Sequence, residues 1–135
     1  MPNGGHVGGT YRSIEQDGVT EFAFSEAEVT QIQLDQRLTL LLAGGAAVVI
    51  GVPCTMLRDG APEPLHVGEP RLLSPALDLF GRSITRIDVL DTGQLHVHCG
   101  TGWSIEVPVD PSYENWELLL PDGEQLIGLP GGGIS

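Results

Sequence analysis

The chain has 135 residues, 41% hydrophobic and only 5% aromatic, which suits one domain whose single core comes from Leu, Val, Ile and Ala. Eighteen Asp and Glu against six Lys and Arg give a net charge of −12, which repels phosphate backbones and anionic lipid and argues against nucleic-acid and membrane partners. The same field suits a basic protein partner, or serves solubility alone.

No stretch approaches the ~20 apolar residues of a membrane span, since the longest run, Leu38 to Val52, is broken by Thr39, Gly44, Gly45 and Gly51. The N-terminus shows no basic segment followed by an apolar one, so no export signal is read. Cys54 and Cys99 are therefore expected as reduced thiols, and the cytoplasm as the compartment.

Residues 1–10 hold four Gly and read as a flexible arm ahead of one β-rich domain over 11–135. Asp17-Gly18 signals a turn, and Val19 to Phe24 reads as an edge strand. A first meander occupies 28–53: Val29 to Leu34 alternates apolar and polar, Arg37 to Leu42 and Ala46 to Val52 follow, and Pro53 stops the third strand. The connector, 54–82, begins with the turn-forming or irregular stretch Arg58 to Pro64. It continues with a short helix, started by Ser74-Pro75 and stopped by Gly81, whose packing stripe would be Leu73, Leu77 and Phe80.

A second meander over 83–108 repeats the first: Ile84 to Val89, Gln94 to Cys99, and Trp103 to Val107 with Pro108 as the stop. Thr30 meets Thr85, Ile32 meets Ile87, Leu38 meets Leu95 and Gly45 meets Gly102, and Ile-x-Val-Pro closes both copies. Because that closing motif returns to the initial spacing, the second copy should have a longer first turn and a shorter second one. Residues 109–130 form a C-terminal hairpin, Trp116 to Leu120 against Glu124 to Leu129 around Pro121-Asp122-Gly123, with no counterpart in the first half. Pro130 to Gly133 would end the ordered fold. The fold class is mainly β: two tandem three-stranded antiparallel meanders plus a C-terminal hairpin, as a sandwich or partly open barrel.

Few residues offer chemistry. His96 and His98, two apart on a strand, share the face opposite Leu95, Val97 and Cys99, which is half of a metal site without the remaining ligands. Two solvated histidines are the plainer account. Cys54 and Cys99, with His66 or His98 as a base, sit in no nucleophile motif, and no cofactor motif is present. The densest cluster is Tyr113-Glu114-Asn115-Trp116-Glu117. Alternation would put Tyr113, Asn115 and Glu117 on one face and Glu114 and Trp116 on the other. Aromatics flanked by carboxylates suit a basic target. A chain so poor in aromatics also tends to bury its Trp.

The tail, from Asp110 through Tyr113-Glu114-Asn115-Trp116-Glu117-Leu118 to Asp122-Gly123 and Leu129-Pro130-Gly131-Gly132, resembles the end of a family of small, mostly actinobacterial proteins of unknown function. That family is similar over roughly Val29 to Gly132 and carries a YExWEL…G…PGG signature. The chain departs from it in its Gly-rich leader and at Leu119-Leu120-Pro121. The resemblance implies no activity, but it draws attention to Tyr113, Glu114 and Trp116.

The expected function is therefore non-enzymatic: an acidic protein-binding or accessory domain, in its most concrete form an immunity-type protein that blocks a basic toxin. The alternatives are a small-molecule-binding domain with a pocket between the meanders, lined by Tyr113, Trp116 and the histidines, and a metal-dependent enzyme using His96 and His98. Open sheet edges also make a homo-oligomer an expected assembly.

Overall fold

A computed structural model describes residues 10–135. The chain is mainly β, with two antiparallel sheets that do not close into a barrel. Strands β1 (Thr10–Gln16) and β2 (Val19–Ser25) form a hairpin on Asp17-Gly18, whose φ angles of 51° and 79° are those a two-residue type I′ turn requires. The first meander is β3 (Val29–Leu34), β4 (Leu38–Leu42) and β5 (Ala47–Ile50), followed by the hairpin β6 (Cys54–Arg58) and β7 (Ala61–Leu65). Two short 3-10 helices, Pro70–Leu72 and Ser74–Leu79, lead to the second meander, β8 (Ile84–Leu90), β9 (Leu95–Cys99) and β10 (Trp103–Val107). The hairpin β11 (Trp116–Leu119) and β12 (Gln125–Gly128) completes the strands.

The meanders lie in different sheets. One sheet runs β1-β2-β8-β9-β10-β6-β7 and the other β12-β11-β5-β4-β3, and the inner faces of both contribute to one core. After each meander the chain crosses to the opposite sheet, so β6 pairs with β10 and β11 pairs with β5. The tail hairpin thus has a counterpart, β6–β7, contrary to the sequence expectation. Arg58 to Pro64 misled because proline reads as a strand breaker. Pro62 and Pro64 lie on an outermost strand, where a missing N–H breaks no ladder.

The two copies agree in detail. Each has a register shift at its first threonine, between Val29 and Gln31 and between Ile84 and Arg86. Thr30 Oγ1 donates to Leu41 O at 3.2 Å, and Thr85 Oγ1 donates to His98 O at 3.4 Å. Leu38 pairs with Ile50 where Leu95 pairs with Val107, and Leu41 pairs with Ala47 where His98 pairs with Ser104. The second turns are therefore equal in length. The recurring Ile-x-Val-Pro lies two residues out of structural register, which an even shift hides because it keeps every side chain on its face.

The connector differs from expectation in one more respect. Its helix is 3-10 and ends at Leu79, and the three-residue turn buries Leu73, Ala76 and Leu79. Leu77 and Phe80, expected in the packing stripe, are 51% and 64% exposed. Strand β2 lies inside its sheet, and β1 takes the edge. Apart from Thr10, which opens β1, the arm over 1–10 lies outside the described residues. The chain does not end at the Gly run: Ile134 bridges to Gly128, and Ser135 and Ile127 exchange backbone hydrogen bonds at 2.8 and 3.2 Å.

Candidate interaction surfaces

Residues directly opposite in antiparallel strands share a face, so the registers assign every strand residue to the core or to the outside. On the outer face of the seven-stranded sheet the second meander places Arg86 and Asp88 on β8, His96 and His98 on β9, and Ser104 and Glu106 on β10. At the equivalent positions of the five-stranded sheet stand Gln31, Gln33, Thr39, Leu41, Ala47 and Val49. One face is chemically armed and the other is nearly free of charge.

The charged face centres on Asp88, which is only 8% exposed. Its Oδ2 lies 3.0 Å from His98 Nε2 and accepts from Arg86 Nη2 at 3.2 Å. Its Oδ1 sits 3.0 Å from Arg86 Nε, an ion-pair contact without hydrogen-bond alignment. Arg86 Nη2 also lies 3.2 Å from His98 Nε2, so that nitrogen stands between a carboxylate that only accepts and a guanidinium that only donates, and its role follows its tautomer. His98 is thus occupied as a structural partner. His96 faces Asp88 and Glu106 across the neighbouring strands, yet among the described residues no three His, Cys, Asp or Glu side chains converge as a metal site. Ser104 lies across from His98, but among the described residues no hydrogen bond joins their side chains.

The uncharged face gathers Leu41, Ala47, Val49, Leu119 and Ile127 on four adjacent strands, with Ala47 and Val49 buried among their neighbours and Leu41, Leu119 and Ile127 half-buried. Its one carboxylate, Glu117, is engaged on both oxygens: Arg37 Nη1 donates to Oε1 at 3.1 Å and Gln125 Nε2 to Oε2 at 2.6 Å. Beyond it lie the exposed acids Asp35, Glu114, Asp122 and Glu124 on the loops at the ends of these strands.

The tail cluster separates. Trp116 is a buried anchor whose indole Nε1 donates to Gly93 O at 2.8 Å, tying β11 to the β8–β9 turn of the other sheet. The indole packs so closely over Gly128 that a Cβ there would collide with it, which explains a glycine inside β12. Asn115, expected beside Tyr113, is fully buried: its Oδ1 accepts from Asp110 N at 2.7 Å and its Nδ2 donates to Leu129 O at 2.8 Å. Strand alternation does not reach it because β11 starts at Trp116. Tyr113 and Glu114 are exposed at that corner. Glu114 and Glu117 line a shallow cleft of about 10 Å³ with Arg37, Val49, Gly51 and Trp116, far below the ~300 Å³ at which small-molecule sites begin. Gly51 allows a close approach there, because a Cβ would stand 3.0 Å from Glu114 O, tighter than an ordinary contact.

His96 and His98 lie on the far side of the sandwich from this corner, so they do not join Tyr113 and Trp116 in one pocket. The space between the meanders is filled by packed aliphatic side chains. Both cysteines are buried free thiols, and burial pushes each up to about 12, which leaves them protonated and unreactive at neutral pH. Asn115 is the structural residue that sequence reasoning missed. Its position between Pro111 and a strand start was the available signal, since Asn side chains organise loops through backbone bonds.

Residues 20–135 match the model of the Family of unknown function (DUF6188), and the chain belongs to that family. No curated protein and no solved structure matches it. No helix among the described residues is long and apolar enough to cross a membrane.

Proposed function

We propose that this member of a family without an assigned function is a non-catalytic protein-binding domain that docks a basic partner on the outer face of its five-stranded sheet. The observation that carries this reading is the contrast between the two outer faces. At positions where one sheet bears Arg, Asp, two His, Ser and Glu, the other bears two Gln, Thr, Leu, Ala and Val. The half-buried Leu41, Leu119 and Ile127, over the buried Ala47 and Val49, leave a small apolar surface on a chain of net charge −12 that has no role in solubility, and such surfaces mark protein contacts. A dry apolar centre ringed by acids suits a partner that presents an apolar residue among Lys and Arg. In its most specific form the domain is of the immunity type, occluding the working surface of a basic toxin.

The test compares tag-free affinity capture from the native host by the wild type, by Leu41→Asp on the apolar face, and by His98→Ala on the charged face. The expected result is one stoichiometric basic protein that the first and third retain and the second loses. Equal capture by all three, or a partner lost only with His98→Ala, would overturn the reading.

A further inference from the structure

The connector between the meanders turns apolar side chains both inward and outward. A 3-10 turn holds three residues, so side chains three apart align, and Leu73, Ala76 and Leu79 are buried together in the core. Leu77 and Phe80 stand exposed instead, and Leu72, just ahead of them, is about half exposed. Three of the five large hydrophobics that stand so exposed among the described residues thus fall within nine consecutive positions. Single exposed apolar residues need no explanation, but a cluster of them marks a contact surface.

The segment that carries them is held firmly. Gly81 N donates to Val29 O at 2.9 Å, and Val29 N donates to Arg82 O at 2.8 Å. Arg58 donates from Nη1 to Asp78 Oδ2 at 2.6 Å and from Nη2 to Pro75 O at 3.1 Å. The two 3-10 helices pack against each other, and at the first of them Glu69, Pro70, Arg71 and Leu72 line a surface hollow of about 440 Å³. That volume is in the range of small-molecule sites, but such sites enclose most of their ligand. Four consecutive residues supply one wall, so the hollow is incomplete until something is placed against it.

We infer that the connector is a homodimer surface in which Phe80 of each copy enters the hollow of the other. A two-fold interface brings the same patch together from both copies, so the patch must complement itself. This one does so in shape, with Phe80 as the projection and Pro70 and Leu72 as apolar parts of the wall that receives it. Arg71, on the same wall, offers a guanidinium to the face of the incoming ring. The patch also complements itself in charge. Over residues 67–82 the acids Glu69 and Asp78 balance Arg71 and Arg82, so the net charge of −12 is carried entirely by the rest of the chain. A basic partner is drawn to that acidic remainder, and an acidic partner finds no excess of positive charge here, whereas a second copy needs neither. Screening over roughly 8–10 Å removes most of the repulsion between the two bodies at physiological salt. The patch is small, so the association is a weak, concentration-dependent one. It stands apart from the partner reading above, because it uses none of the residues on the outer face of the five-stranded sheet.

Sedimentation equilibrium of the full, tag-free chain between about 5 and 500 µM, the range of weak interfaces, should show a species of twice the 14.3 kDa chain mass growing with concentration. Phe80→Ala removes the projection and Leu72→Glu charges the hollow. Each should weaken that species at least about tenfold while the urea midpoint stays close to wild type, since both side chains are exposed. Mixing the two variants then separates reciprocal exchange from a contact in which Phe80 meets its own mate. A mixed pair still sets one Phe80 against one intact hollow, so it should associate more tightly than either variant does with itself. A wild type that stays monomeric at every concentration, a dimer indifferent to either substitution, or a mixture that associates no more tightly than its components would each overturn the inference.

Discussion

The two meanders are nearly the same object on the inside and different objects on the outside. Facing the core, Ile32, Leu34, Leu38, Leu40, Val48 and Ile50 correspond in register to Ile87, Val89, Leu95, Val97, Ile105 and Val107, all aliphatic. Facing outward, the same strands exchange Gln for Arg, Gln for Asp, Thr and Leu for His, Ala for Ser and Val for Glu. The inner set answers to close packing, where a methylene of excess or deficit is felt. The outer set answers only to solvent and to whatever binds there. Divergence confined to the outer set is what one would expect if function, rather than folding, separates the two copies.

The contrast is most severely tested at the core. Trp116→Ala should destabilise the protein by about 3–5 kcal/mol in urea denaturation, because it removes a buried indole and leaves Gly93 O without its donor. Leu40→Ala and its counterpart Val97→Ala should each lower stability by an amount in the range of about 1–4 kcal/mol. The neighbouring outward Leu41→Ala should change it by less than about 1 kcal/mol. A loss at Leu41 as large as that at Leu40 would mean the outer face is covered by the chain itself and would break the comparison.

Alkaline titration separates core from surface in another way. Cys54 and Cys99 are pushed from 9.0 up to about 12 by burial, and Tyr11 is raised from 10.0 to about 12 by burial and by its hydrogen bond to Asp122. Groups raised in the folded state stabilise it fully below their unfolded values. That contribution is lost as pH rises through the folded ones. Stability measured by denaturant titration should therefore hold up to about pH 8.5 and fall steeply between 9 and 12. The double variant Cys54→Ala, Cys99→Ala should flatten that slope even though it lowers stability at neutral pH. An unchanged slope would show that the thiols are not the buried groups that titrate.

The smaller effects lie on the charged face. Asp88→Ala removes the carboxylate that Arg86 and His98 both contact and should lower stability by about 1–2 kcal/mol. Gln33→Ala at the equivalent position of the first meander should fall within about 0.5 kcal/mol of wild type. Equal effects at the two sites would mean that the Asp88 network adds nothing to the fold.

Much of this architecture was legible in the residue order. The meanders, their threonines, the Asp17-Gly18 turn and the tail hairpin follow from period-two alternation and turn chemistry, which act over a few residues. The burial of Trp116 was legible too, from the scarcity of aromatics. The fate of Asn115, Asp88 and the exposed pair Leu77 and Phe80 was not. Each depends on which groups another part of the chain brings alongside, or on a choice between 3-10 and α turns that the local signals leave open.

By itself, the sequence determined which side chains face the core, because a strand has only two faces and alternation assigns them. Tertiary structure alone decided that the meanders sit in separate sheets, that each following hairpin crosses to the other copy, and that β1 rather than β2 takes the edge. Strand partnership is a non-local contact between segments tens of residues apart, such as β6 with β10, and no local periodicity encodes it.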